Sequence, residues 1–145
     1  MMEIPGVTIT TVTSFDDHRG SLWKLIQAEF NKDFSFGETY LTFTKPNHWR
    51  GGHFHKNFRE WFIVLQGNAF FRFYNLRTKD TLEIKISSKD GLRIEVAPGV
   101  GHSFRNQGKE VLMVLAITDK CFDTENTDTY LEEKTNFGDI EKNLT

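Results

Sequence analysis

Short runs of β-branched and aromatic residues recur about every ten residues along this chain, separated by clusters of turn-forming residues. These runs predict strands at Val7–Thr13, Ser21–Ile26, Glu38–Lys45, Gly51–His55, Glu60–Leu65, Asn68–Tyr74, Thr81–Ser87, Leu92–Val96, Gly101–Asn106 and Val111–Ile117. Alternation is cleanest where Leu82, Ile84 and Ile86 take one face and Glu83 and Lys85 the other. Leu92, Ile94 and Val96 repeat the pattern against Arg93 and Glu95. A period of two means that one face packs inward while the other meets water. Gln66-Gly67-Asn68 is read as a tight hairpin turn between two strands. Pro5, Pro46 and Pro98 all fall at strand ends or loops, where proline is tolerated.

Ten short strands joined by local turns predict an all-β fold, either a closed barrel or a double-sheet jelly roll. An immunoglobulin-like sandwich lacks its signature here, because Cys121 is the sole cysteine. The 145 residues are read as a single domain, 1–145, with a core over about 7–117. The 14 Phe, against 3 Tyr and 3 Trp, predict a core rich in rings, with Phe70, Phe71, Phe73 and Trp61 read as packing residues. Beyond Ile117 the chain turns polar and acidic, with Phe122, Tyr130 and Leu131 as isolated apolar anchors. That tail, 118–145, is expected to pack across the outside of the barrel with one helical turn, and to be disordered from Lys134 on. Asp16, Asp17 and His18 are read as a turn.

The formal net charge of −2 offers no electrostatic footprint for nucleic acid. No apolar run approaches the roughly 18 residues of a membrane span, and with Met1 to Ser14 polar and β-branched a secretory leader is not expected. A lone cysteine fits a reducing compartment, so the expected location is the cytoplasm.

The informative stretch is Arg50-Gly51-Gly52-His53-Phe54-His55-Lys56-Asn57-Phe58-Arg59-Glu60. His53 and His55 are two apart, so on a strand both imidazoles project from one face. Glu60 opens the next strand, where a short turn brings it back beside them. Pro98-Gly99-Val100-Gly101-His102 places a third imidazole on another strand. Taken singly, a strand histidine is most often packed or solvent-facing, and a lone Glu60 is a surface charge. Together, His53, His55, Glu60 and His102 form a four-ligand set suited to Zn, Fe, Mn, Ni or Cu with positions left open.

His53, His55, Glu60 and Gly67 satisfy the spacing His-x-His-x4-Glu-x6-Gly, and Gly91, Pro98, His102 and Asn106 follow in the order of a second motif, with Gly99 and Gly101 slightly off pattern. On these residues the chain resembles the cupins over about Asp16 to Ile117, which implies a double-stranded β-helix with its site on inward-facing residues. Asp17-His18-Arg19-Gly20 and Arg50-Gly51-Gly52-His53 resemble the Asp-x-Arg-Gly and Arg-Gly-x-His motifs of nucleotide-sugar 3,5-epimerases and 3,4-ketoisomerases. The tail from Cys121 to Tyr130 is similar to the end of the metal-binding C-terminal cupin in a bifunctional capsular-polysaccharide enzyme. That enzyme joins the cupin to a reductase domain and epimerises a UDP-linked 4-keto-6-deoxy amino sugar. The resemblance implies a stand-alone relative without the reductase half.

What the resemblance implies chemically is proton abstraction at C3 of a dTDP- or UDP-linked 4-keto-6-deoxy sugar, acidified by the ketone, with the enolate held until a proton returns. Return to the opposite face gives epimerisation, and return at C4 gives a 3-keto sugar. His53 meets two demands, since a metal-bound imidazole nitrogen is not free to take a proton. The metal reading makes His53, His55, Glu60 and His102 ligands of a divalent ion, zinc first, with Mn, Fe or Ni as alternatives, and leaves the base to another group. The metal-free reading gives the base to His53 or His55 and makes Glu60 an orienting partner.

Tyr40 is the candidate acid. Arg19 and Arg50 are candidates for the nucleotide diphosphate, because a guanidinium grips phosphate oxygens bidentately. Trp49 is a candidate for stacking on a sugar or base. The family implies a homodimer sharing edge strands. Two other functions compete: metal-dependent oxygenation or isomerisation of another small molecule, and a non-catalytic metal- or sugar-binding cupin.

Overall fold

A computed structural model describes residues 3–30, 32 and 34–135. Within them lie β1 (Val7–Thr11), β2 (Thr13–Asp17), β3 (Gly20–Lys24), a single 3-10 turn (Ala28–Phe30), β4 (Glu38–Thr44), β5 (Trp49–Phe54) and β6 (Glu60–Gln66). The series continues with β7 (Asn68–Asn75), β8 (Thr81–Ser87), β9 (Leu92–Val96), β10 (Val100–Asn106), β11 (Leu112–Thr118) and β12 (Tyr130–Leu131). Two five-stranded sheets form, in the orders β1-β9-β6-β11-β4 and β12-β5-β10-β7-β8, with β2-β3 as a separate hairpin. Every pairing is antiparallel.

The two sheets face one another across an apolar layer. Phe62, Val64, Ile94 and Val114 come from one sheet, and Phe71, Phe73, Ile86 and Phe104 from the other. Each is a strand residue whose neighbours in sequence point away, so the alternation read from the sequence becomes a core. Fully burying a side chain of this kind contributes roughly 1.5–3 kcal/mol. The result is the all-β fold expected from the strand count, in the double-stranded β-helix form that the resemblance implied. Among the described residues no helix is long and apolar enough to cross a membrane.

Four local expectations change. Gln66-Gly67-Asn68 is not a hairpin: β6 and β7 belong to different sheets, and the left-handed Gly67 (φ +89°) turns a corner between them. Phe70 lies on the outer face, edge-on to Trp49 at 6.0 Å, while Phe71 and Phe73 are buried inside. Asp16 and Asp17 close strand β2, and the turn itself is His18-Arg19. The tail forms no helix among the described residues, only a turn at 133–135. Instead β12 adds to the exposed edge of β5, pairing Tyr130 with Phe54 and Leu131 with His53. Downstream, Glu132 and Thr135 are buried, and Glu132 accepts from the Thr135 amide at 2.8 Å. The remainder of the segment expected to be disordered, 136–145, lies outside the described residues.

Candidate metal centre and cavity

Arg50 and His53 are three residues apart, so strict alternation would put them on opposite faces of β5. Both nevertheless line one cavity. The cause is the Gly51-Gly52 pair, with left-handed φ values of +87° and +79°. Pairing with β10 slips here: His53 faces His102, while the next pair is Gly51 with Ser103. This β-bulge inserts one residue and re-aims the strand. A β-carbon at Gly51 would lie 2.6 Å from the His102 carbonyl oxygen, so only glycine fits.

The cavity, about 150 Å³, opens between β4, β5, β6 and β10. Phe62 and Phe104 supply its apolar wall, and Tyr40, Thr42, Arg50, His53, Glu60 and His102 its polar one. His53, His55 and His102 cluster here, their ring centroids 4.9–5.4 Å apart. Each offers one nitrogen within 4.8 Å of the others. Glu60, the first residue of β6, places Oε2 2.8 Å from His102 Nε2 and 3.3 Å from His55 Nε2.

Carbonyl partners set the tautomers. His55 Nδ1 lies 2.6 Å from the Asp128 carbonyl, and His102 Nδ1 lies 3.1 Å from the Val100 carbonyl. A carbonyl only accepts, so Nδ1 carries the proton in each ring and Nε2 keeps a lone pair. His55 Nε2, His102 Nε2 and Glu60 Oε2 are thus three acceptor atoms converging on one buried point without a hydrogen-bond partner. Such a convergence is costly unless a proton between His102 and Glu60, or a cation, sits among these atoms.

Without a cation, charge couples the cluster as an ion pair between His102 and Glu60. Burial disfavours charge on His102, but the Glu60 carboxylate more than offsets this and holds its pKa above the usual imidazole value. Burial would raise the pKa of Glu60, yet His102 and His55 together draw it below the usual carboxylate range. His53 is pushed down to about 3, by burial first and then by the charges of His102 and His55. The residues fit a divalent cation by geometry: with Nδ1 committed to carbonyls, His55 and His102 can turn Nε2 to an ion that displaces the shared proton, and Glu60 and His53 complete the mixed nitrogen and oxygen set that zinc and its neighbours accept.

Tyr40 is 41% exposed overall, but its hydroxyl end turns inward and donates to Glu60 Oε1 at 3.4 Å. Burial of that end, reinforced by the Glu60 charge, lifts its pKa above the usual phenol value. Arg50 is exposed at the rim, its Nε donating to Thr44 Oγ1 and its Nη2 to the Phe43 carbonyl.

The structure brings together His53, His55, Glu60, His102, Tyr40 and Arg50. It does not bring Arg19 or Trp49 to the cavity. Arg19 sits in the β2–β3 turn and grips Asp17, with Nη2 2.6 Å from Oδ2. Trp49 is carried to the outer face by the bulge, beneath the guanidinium groups of Arg72 and Arg105. Thr42, Phe62 and Phe104, absent from the sequence reading, each lie two residues beyond a candidate (Tyr40, Glu60 and His102), so strand periodicity alone points to them. Asp128 had no such signal, since nothing local ties the tail to His55.

Known proteins are similar to this chain in sequence or in fold. A curated relative, the UDP-2-acetamido-2,6-beta-L-arabino-hexul-4-ose reductase of Pseudomonas aeruginosa, is 32% identical over 82% of this chain. The chain spans 31% of that relative's length. Among solved structures, the capsular polysaccharide assembling protein CapF of Staphylococcus aureus is 24% identical, with a TM-score of 0.64 over 85% of this chain and 33% of its own. ChmJ, a 3'-monoepimerase of Streptomyces bikiniensis in complex with dTDP-quinovose, is 13% identical, with a TM-score of 0.77 over 86% of this chain and 69% of its own. At these identities the structural likeness speaks to the fold. A family model described as the polysaccharide biosynthesis C-terminal domain matches residues 15–130, a span holding both ends of the His–Glu cluster and the strand that closes over it. The chain belongs to the polysaccharide biosynthesis C-terminal domain family.

Proposed function

We propose that this domain is a nucleotide-sugar epimerase of surface-polysaccharide synthesis. It inverts C3 of a 4-keto-6-deoxy sugar carried on UDP or dTDP. One observation carries the reading: three buried acceptors converge on a point beside a cavity that also holds a protonated tyrosine hydroxyl. The curated relative adds support, because its name specifies a UDP-linked hexul-4-ose, a sugar with a ketone at C4.

The cavity is smaller than the roughly 300–1,000 Å³ of sites that enclose drug-sized ligands. A sugar ring enters it, and the nucleotide lies across the rim, where Arg50 meets the diphosphate. His53, His55, Glu60 and His102 hold a divalent ion, zinc first, with manganese, iron or nickel as alternatives. When bound, it supplies Lewis acidity that draws charge onto the 4-keto oxygen as the enolate forms. The C3–H electron pair becomes the enolate double bond, the proton leaves to a base, and a proton returns to the other face. Tyr40 keeps its hydroxyl proton throughout the neutral range and is the donor toward the ring. Phe62 and Phe104 exclude water beside the reacting carbon.

A second reading has its own observation. His55 and His102 each spend Nδ1 on a carbonyl, whereas half-buried His53 faces the cavity with no hydrogen bond among the described residues. A ring nitrogen left free in the cavity can accept a proton, though burial and the neighbouring histidines lower its basicity, and this reading gives a 3,4-ketoisomerase working without metal. The two separate in heavy water. Incubation with a UDP-linked 4-keto-6-deoxy sugar, followed by NMR, gives deuterium at an inverted C3 for the epimerase and a 3-keto product for the ketoisomerase. Neither deuterium at C3 nor a 3-keto product labelled at C4 overturns both and leaves a non-catalytic metal- or sugar-binding cupin.

A homodimer completes the proposal. Leu41, Phe43 and Leu65 are exposed on the outer face of β4 and β6, with Met113 and Leu115 of β11 beside them. A second copy covers this apolar face. Arg19 stands on an exposed hairpin outside the lining of its own cavity, so a diphosphate role for it requires a second copy.

A further inference from the structure

The tail is the feature that the proposed chemistry leaves unused. Residues 121–127 run exposed over the surface, and then Asp128 turns in. Its carbonyl accepts from His55 Nδ1 at 2.6 Å. Its carboxylate reaches back over the same loop, Oδ1 accepting from the Lys56 amide at 2.9 Å and Oδ2 from the Asn57 amide at 2.7 Å. One residue thus grips the β5–β6 turn through three hydrogen bonds, two of them charge-assisted.

The grip is continued downstream. Tyr130 stacks on Phe54 at 5.3 Å, takes Lys56 Nζ over its ring at 4.3 Å, and leads into a Glu132 amide bonded to the Gly52 carbonyl. On the far side, Phe58 lies parallel to the His55 ring at 3.8 Å. His55 is therefore held by its own turn on one face and by the tail at Nδ1.

We propose that Asp128 is a positioning residue for His55. Its carbonyl fixes the Nδ1–H tautomer and so aims the Nε2 lone pair at the Glu60–His102 point, and its carboxylate holds that carbonyl in place. The inference rests on the metal reading above. A partner at the far nitrogen of a ligating histidine typically governs about 10–100-fold in metal affinity. Because linkage is reciprocal, metal binding also tightens the tail onto the turn.

The test uses zinc alone as the probe. Asp128→Ala keeps the carbonyl but removes the clasp, and zinc affinity, read by competition with a chelating dye, should fall about 10–100-fold. In the metal-free protein, long-range proton–nitrogen NMR should show His55 as the Nδ1–H tautomer in the parent and as a tautomer mixture in the variant. Glu125→Ala, three residues upstream in the same tail, should change neither. Unchanged affinity in Asp128→Ala, or an Nε2–H tautomer in the parent, overturns the proposal. Should the variant fail to fold, hydrogen exchange of the Lys56 and Asn57 amides in the parent decides, since zinc must slow it. A parent that takes up no zinc overturns the metal reading, and the His55 tautomer then decides the positioning role by itself.

Discussion

Gly51 is where one atom more breaks the site. Its backbone is left-handed, and an added β-carbon meets the His102 carbonyl, which belongs to a paired strand and cannot step aside. Gly51→Ala should therefore cost about 3 kcal/mol or more in urea unfolding, as strain and overpacking add. Gly99 is the contrast: its φ is +80°, but a β-carbon there would meet nothing within 4 Å. Gly99→Ala should cost only the left-handed penalty, about 1 kcal/mol. Equal losses at the two positions would contradict the bulge as a close-approach device. At Tyr40, fold and chemistry separate. The ring is partly exposed and its bond to Glu60 is long, so Tyr40→Phe should change stability by less than about 1 kcal/mol. Exchange of the C3 proton into heavy water should nevertheless fall about 10²–10⁴-fold. Near-parental exchange would remove Tyr40 from the mechanism.

Strands follow from local pattern, and their partners do not. The alternation through Leu82, Ile84 and Ile86 is visible in the sequence, and β8 forms there with those three side chains turned inward. Gln66-Gly67-Asn68 looks the same whether the chain folds back on its own sheet or crosses to the other, because glycine serves both turns. Likewise the parity rule correctly pairs His53 with His55 but misplaces Arg50, and with it Trp49, since a bulge resets the count. The clustering of His53, His55 and Glu60 was legible because their spacing survives within β5 and into β6. The tail contact on His55 was not, as 73 residues separate its partners. Asn106 shows a motif residue with an architectural role. It is fully buried, donates to the carbonyls of Thr44 and Glu110 at 2.8 and 2.7 Å, and accepts from the Gly108 amide at 2.8 Å. Asn106→Ala leaves those groups unpaired and should cost about 2–4 kcal/mol in thermal or urea unfolding, while a refolded sample still binds metal.

At the scale of the molecule, the described residues leave an apolar face of β4 and β6 uncovered and the converging atoms of the His–Glu cluster without outside partners. The first predicts association. Phe43→Glu on the outer face of β4 should shift a dimeric parent to monomer in sedimentation velocity, whereas a parent that sediments as a monomer would contradict the shared interface. The second is the account's centre, and metal content per chain tests it most directly, by plasma mass spectrometry on protein purified without a histidine tag. The account predicts close to one divalent ion per chain in the parent, and its loss in His55→Ala and in Glu60→Ala. No bound metal, even after incubation with zinc or manganese, would contradict it and pass the site's proton chemistry to His53.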